Sequence, residues 1–297
     1  MLRRRLSVIV LATAAVFSLY VLLGDGYVAN VVYRDSHPSF DRASADSREA
    51  VVFFTGAQSY GSALAAPMLP VWMQHGDVVV VNYPRYRFDG PTIARDTYRY
   101  LQKNGYQRVT LIGGSLGGEL AVDLIEYQRA YHGDLQLRVI LADTPAGVAT
   151  LFMAGLATHS HWFRPGPLDN LVTRLYWRAV FRPETPPQRG RSVDPAQLAT
   201  LHAAAKTWAL SSEQGQVRYI VDRPPPTAGT YTGIRMMYLQ STLDKVVRPQ
   251  ATPVWANAFP GATVISVPRA WHIDFVEHPE EWRDAFTKAF AALGPWA

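Results

Sequence analysis

Arg108-Val109-Thr110-Leu111-Ile112-Gly113-Gly114-Ser115-Leu116-Gly117-Gly118 holds three kinds of sequence in succession. Val109 to Ile112 is a short apolar, β-rich run, the pattern of a parallel strand buried on both faces. Gly113 to Gly117 is a G-x-S-x-G pentapeptide. Glu119 to Tyr131 follows with Leu120, Leu124 and Tyr127 at helical spacing. Strand, sharp turn, helix is the setting in which a serine between glycines is lifted clear of a sheet beside a helix N-terminus. The pentapeptide alone is weak: at ordinary Gly and Ser frequencies it arises by chance about 0.1 times in a chain of this length. Its bland reading is a glycine-rich turn with a capping serine.

Downstream residues weigh against the bland reading. A nucleophilic serine needs a base to take its proton and an acid to orient that base. Met236 to Gln240 reads as a strand, and Ser241-Thr242-Leu243-Asp244-Lys245-Val246-Val247 follows it. Ala262 to Val267 reads as another, followed by Arg269-Ala270-Trp271-His272-Ile273-Asp274-Phe275. Ser115, Asp244 and His272 therefore each stand just past the carboxyl end of a strand, in the order Ser, Asp, His. Asp143, in Ala142-Asp143-Thr144-Pro145, also follows a strand; it is either a turn aspartate or an alternative acid. His272, Asp274 and His278 are close in sequence, but no helix aligns them, and the expectation is no metal, with Asp274 stabilising its turn. His132, His159, His161 and His202 read as surface residues.

Taken in order, Ala50–Thr55, Val78–Val81, Val109–Ile112, Leu137–Leu141, 235–239 and Ala262–Val267 are the expected strands, with a possible edge strand at Tyr27–Tyr33. Helical segments, among them Pro91–Lys103, lie between most of them. The expected class is α/β: a mostly parallel, doubly wound sheet with flanking helices and right-handed crossovers. Ligands then sit at the carboxyl ends of the strands. About 90 residues separate Leu141 from Arg235, too long for a structureless loop. Its aromatic-rich pieces predict a helical cap inserted at about 146–230.

With these residues in hand, the chain resembles the α/β-hydrolase superfamily over roughly residues 50–293, its serine hydrolase branch in particular. The elbow at 113–117, the Leu243-Asp244-Lys245-Val246-Val247 loop and the Trp271-His272 loop carry the resemblance. It implies Ser115 as nucleophile, His272 as general base and then acid, and Asp244 as the residue orienting His272. It also implies an oxyanion hole from the backbone N–H groups of Leu116 and of Ala57 or Gln58, although Thr55-Gly56 stands where many relatives have His-Gly. The family's first strands look missing or abbreviated. The implied reaction is hydrolysis of an ester or thioester through an acyl-enzyme, on a small-molecule or lipid-like acyl substrate, with no cofactor. A peptidase or amidase on the same triad, and a non-catalytic anchored binding protein of this fold, are the alternatives.

Composition bounds the rest. The 297 residues are 48% hydrophobic and 18% charged, enough for one large domain. The net charge is +5, of which Arg3, Arg4 and Arg5 supply three, so no nucleic-acid partner is expected. With no cysteine there is neither a disulfide nor a thiolate nucleophile. Leu6 to Leu23 is an uncharged run that as a helix would span about 27 Å, near the thickness of a bilayer core. Residues 1–26 are therefore expected to be a signal anchor or a cleaved signal peptide, and 27–297 the hydrolase domain with its cap. The arginines stay cytoplasmic under the positive-inside bias. The domain is then exported and held to the membrane by the N-terminal helix, or secreted after cleavage.

Overall fold

In the computed structural model, which describes residues 37–45, 47–57, 61–84, 88–152 and 210–296, the apolar runs become strands, and all but the last, which leaves Val264 exposed, are buried on both sides. Their order along the chain is β1 (Ser39–Ala43), β2 (Glu49–Phe54), α1 (Gly61–Ala65), α2 (Leu69–Trp72), β3 (Asp77–Asn82), α3 (Gly90–Lys103), β4 (Arg108–Gly114), α4 (Leu116–Ala130), β5 (Gln136–Ala142), α5 (Leu210–Asp222), β6 (Met236–Ser241), α6 (Ala251–Ala258), β7 (Thr263–Val267) and α7 (Pro279–Leu293). The sheet has seven strands in the order β1-β3-β2-β4-β5-β6-β7. β1 is antiparallel to β3, and every other pairing is parallel.

The period-two alternation of a strand sorts the core into two layers. Val52, Phe54, Val79, Val81, Val109, Leu111, Val139 and Leu141 face the layer that holds Leu101 of α3 and Leu120 and Leu124 of α4. Val51, Phe53, Val78, Val80, Ile112 and Ile140 face the other, against Trp72 of α2 and Trp282, Phe286 and Phe290 of α7. Aromatic packing dominates that second layer: Phe275 meets Trp282 at 4.6 Å and Phe286 at 5.6 Å, both edge-on. Burial on both faces is why these strands read as unbroken apolar runs rather than as alternating ones.

The sheet's edges are β1, at Ser39–Ala43, and β7. The expected edge strand at Tyr27–Tyr33 lies outside the described residues. In β1, Ser-Phe-Asp-Arg-Ala carries no apolar run: the strand pairs on one side only and its side chains are largely solvated. A buried carboxylate holds it. Asp77 accepts from Arg42 Nη2 at 2.6 Å, from the Ala45 N–H at 2.6 Å and from Tyr106 Oη at 2.7 Å. No helix among the described residues is long and apolar enough to cross a membrane. Residues 1–26, Gln58 and most of the expected cap lie outside those residues.

Because β3 lies on one side of β2 and β4 on the other, the chain reverses direction across the sheet after β3. The carboxyl ends of β2 and β4 flank that switch point, where a doubly wound sheet opens a crevice. The loop at Thr55–Ala57 and the elbow at Ser115 both arrive there.

Candidate active site

Ser115 sits between β4 and α4 with φ 52° and ψ −123°, a conformation that costs a non-glycine residue on the order of 1–3 kcal/mol. The flanking glycines show what maintains it. A Cβ at Gly117 would lie 2.0 Å from the Phe54 carbonyl oxygen, and one at Gly113 would lie 2.3 Å from Gly118 Cα. Backbone runs against backbone at both points, so the turn closes only without side chains there. The Ser115 N–H donates to the Ala142 carbonyl at 2.9 Å, which ties the elbow to the neighbouring strand. Ser115 is buried, with 7% of its surface exposed.

From the serine a hydrogen-bonded line runs inward. Ser115 Oγ lies 2.8 Å from His272 Nε2, and His272 Nδ1 lies 2.9 Å from Asp244 Oδ2. Asp244 Oδ1 accepts from the Val246 and Val247 N–H groups at 2.6 and 3.0 Å. Both carboxylate oxygens are thereby engaged, one by the loop's own backbone and one by the imidazole. The side chain of Asp244 is 3% exposed and that of His272 17%.

Two loops that never pair as strands are stitched together around this line. The Thr242 N–H donates to Val267 O at 3.1 Å, the Leu243 N–H to Ala270 O at 3.1 Å, and the Arg269 N–H to Thr242 Oγ1 at 3.0 Å. Lys245 Nζ stands 4.7 Å from the centroid of the Trp271 ring, a cation–π contact on the outer side of the same seam. Behind the acid loop, Leu151 pairs with Val247, and the Arg248 N–H reaches Thr150 O at 2.7 Å. The loop is therefore anchored where the chain leaves β5 toward the expected cap.

The electrostatics follow from burial among charges. Burial pulls the His272 imidazole down. The Asp244 carboxylate, by its charge and its hydrogen bond, and the carboxyl groups of Asp143 and Asp274 together more than offset this and leave the pKa above the ordinary 6.5. Asp143 is fully buried and is pushed up to about 7, first by burial and then by the Asp244 charge.

Of the residues expected from the sequence, the structure brings Ser115, His272 and Asp244 into one line, with Leu116 opening helix α4 next to the serine. The loop at 55–57 borders it: a Cβ at Gly56 would lie 3.4 Å from Ser115 Cβ. Gln58, the other expected amide, is outside the described residues. Asp143 lies within 4.8 Å of an imidazole nitrogen but spends its oxygens elsewhere. It takes the Ser241 N–H at 2.8 Å and the Ile273 N–H at 3.0 Å, and lies 2.6 Å from Ser241 Oγ. Asp274 accepts from the Trp271 N–H at 2.9 Å and from Trp282 Nε1 at 2.6 Å, and pairs with His278. It thus pins the histidine loop to α7, the turn-stabilising part expected of it. Sequence reading did not find Ser241. The available signal was a small polar residue closing an apolar strand whose neighbour ends in Asp143.

No family model and no curated protein matches the chain. Solved structures do. A marine microorganism esterase aligns over 86% of this chain and 100% of its own, at 16% identity and TM-score 0.60. A hydrolase from Pseudomonas aeruginosa aligns over 87% and 94%, at 15% identity and TM-score 0.62. An esterase from Thermogutta terrifontis aligns over 87% and 94%, at 16% identity and TM-score 0.59. Likeness at this identity establishes the fold and leaves the activity to the chemistry of the site.

Proposed function

We propose that this chain, which has the α/β-hydrolase fold, is a serine hydrolase that cleaves an ester or thioester through an acyl-enzyme. The observation carrying the reading is the line Ser115 Oγ, His272 Nε2, His272 Nδ1, Asp244 Oδ2, with links of 2.8 and 2.9 Å. In the proposed reaction Ser115 Oγ attacks the carbonyl carbon while His272 Nε2 takes the hydroxyl proton. Asp244 stabilises the resulting imidazolium without becoming protonated itself. The oxyanion forms against the Leu116 N–H at the start of α4 and the N–H of Ala57 or Gln58. His272 then gives its proton to the leaving alcohol or thiol. Water, deprotonated by the same imidazole, attacks the acyl carbon and restores Ser115.

A carboxylic ester is the first substrate class to try, because esterases are prominent among the solved structures of this shape. Full-length protein in detergent should turn over a short-chain p-nitrophenyl ester, and Ser115→Ala should lose that turnover while keeping the parent's melting temperature. Equal turnover by both proteins would remove the serine mechanism. The N-terminal run Leu6–Leu23, behind three arginines, is read as an anchor that holds the catalytic domain outside the cytoplasm. Membrane fractionation with N-terminal sequencing tests this, and a soluble product beginning near Tyr27 would show a cleaved signal peptide instead.

A further inference from the structure

Ser241 Oγ has two close neighbours, Asp143 Oδ2 at 2.6 Å and the Trp271 carbonyl oxygen at 2.8 Å. A hydroxyl has one proton to donate. If Asp143 is ionised, both neighbours only accept, and one of two buried contacts goes without a hydrogen. If Asp143 carries a proton on Oδ2, every contact is made: Oδ2–H donates to Ser241 Oγ, and Ser241 Oγ–H donates to the Trp271 carbonyl. Oδ2 still accepts the Ile273 N–H at 3.0 Å, and Oδ1 accepts the Ser241 N–H at 2.8 Å.

The four contacts fall on informative residues. Trp271 and Ile273 are the residues on either side of His272, and Ser241 opens the loop that carries Asp244. Ile273 is itself held at φ 42°, and its side chain lies over the glycines of both neighbouring loops. A Cβ at Gly56 would be 2.4 Å from Ile273 Cδ1, and one at Gly114 would be 3.3 Å from Ile273 Cγ2. One carboxyl group therefore holds Ile273 and the root of the acid loop directly, and Trp271 through the Ser241 hydroxyl.

We propose that Asp143 is a positioning residue that works as a neutral carboxylic acid, fixing the His272 loop against the Asp244 loop through the relay Asp143 Oδ2–H to Ser241 Oγ–H to the Trp271 carbonyl. This rests on His272 and Asp244 acting as base and acid. The groups facing Asp143 are Asp244, His272 and the buried phenol of Tyr238. A second carboxylate next to Asp244 in a dry site is unfavourable, which favours the protonated form. The rise of Asp143 to about 7 is in the same direction. The relay moves no proton in the reaction; it sets where the imidazole stands.

The test reads the proton directly. In full-length protein carrying aspartate labelled with 13C at the carboxyl carbon, the resonance missing from Asp143→Asn should keep the shift of a protonated carboxyl through the pH range in which kcat/KM rises. Titration in the ordinary aspartate range, near 4, would overturn the proposal. This readout needs no turnover, so it stands apart from the test of the hydrolase reading at Ser115. Kinetically, Asp143→Asn keeps the left-handed backbone at φ 45°, which asparagine tolerates, and forfeits one hydrogen bond. It should lower kcat about 5- to 150-fold, the cost of leaving the buried Ile273 N–H without its acceptor, with KM and the acid limb of kcat/KM unmoved. An acid limb displaced downward by about one pH unit would mean that a negative charge had been removed from beside His272, and would contradict a neutral Asp143. Asp143→Ala should cost far more in kcat than the asparagine, and equal loss in the two would refute positioning by this relay.

Discussion

Asp244→Asn asks the geometry for a specific failure. Asp244 Oδ1 accepts two backbone N–H groups, at 2.6 and 3.0 Å, while Oδ2 faces His272 Nδ1 at 2.9 Å. An asparagine has two ways to sit there. Turning its NH2 toward Val246 and Val247 sets donor against donor and leaves two amides unpaired, at about 1–3 kcal/mol each, or about 2–6 kcal/mol together. Turning its oxygen that way keeps both amides satisfied and aims the NH2 at His272 Nδ1. The imidazole answers by moving its proton to Nε2, which keeps the ring neutral and every hydrogen bond made. The second arrangement therefore wins. His272 then donates to Ser115 Oγ and has no lone pair left to take its proton. The expected loss is on the order of 10³–10⁴ in kcat, as when the triad acid of the chymotrypsin-type proteases is changed to asparagine, equivalent to about 4–5 kcal/mol. KM should change little, since nothing that would bind the acyl group is touched. Full-length parent and variant would be compared on the same p-nitrophenyl ester after circular dichroism shows equal folding. A variant within tenfold of the parent would refute the tautomer argument and the assignment of Asp244 as the acid.

The pH profile gives a second check: the base must be neutral, and its pKa is raised above 6.5. Activity should therefore fall as pH drops through a limb lying above 6.5, and a limb below that value would contradict the Asp244–His272 pairing. Gly117→Ala should destabilise the fold by about 3 kcal/mol or more, because its Cβ would meet the Phe54 carbonyl at 2.0 Å. Thermal melts read this as a Tm lower by several degrees, and an unchanged Tm would contradict the backbone approach drawn for the elbow. Burial, and then the Asp244 charge, push Asp143 up from the ordinary 3.8 to about 7, so its stabilising share is complete below the lower value and is lost as pH rises through the upper one. Denaturant titrations should show the parent losing stability relative to Asp143→Asn between those two pH values, and parallel curves would contradict the shift.

Strands with two buried faces were the most legible part of the sequence. Val78–Val81 is a continuous apolar run, and Val109–Ile112 one broken only by Thr110, because each packs two layers; the strands extend one or two residues beyond, to Asp77 and Asn82 in one case and to Arg108 and Gly114 in the other. Ser39–Ala43 was illegible for the converse reason. Its stability comes from a single partner strand and a buried Asp77, neither visible in five mixed residues. The positions of Ser115, Asp244 and His272 were legible because each follows a strand, so sheet topology brings them to one edge. The part played by Asp143 was not. Ala142-Asp143-Thr144-Pro145 reads as a turn, and only the approach of Ser241 and Ile273, 98 and 130 residues further on, shows what the carboxyl holds.

The central claim is that Ser115 is an activated nucleophile, and fluorophosphonate labelling tests it without requiring the substrate to be known. Full-length protein treated with the probe and digested should give one modified peptide, carrying the adduct on Ser115. Labelling should be lost in Ser115→Ala and strongly slowed in His272→Ala. A parent that stays unlabelled under conditions that modify a control esterase, or an adduct that persists in Ser115→Ala, would contradict it.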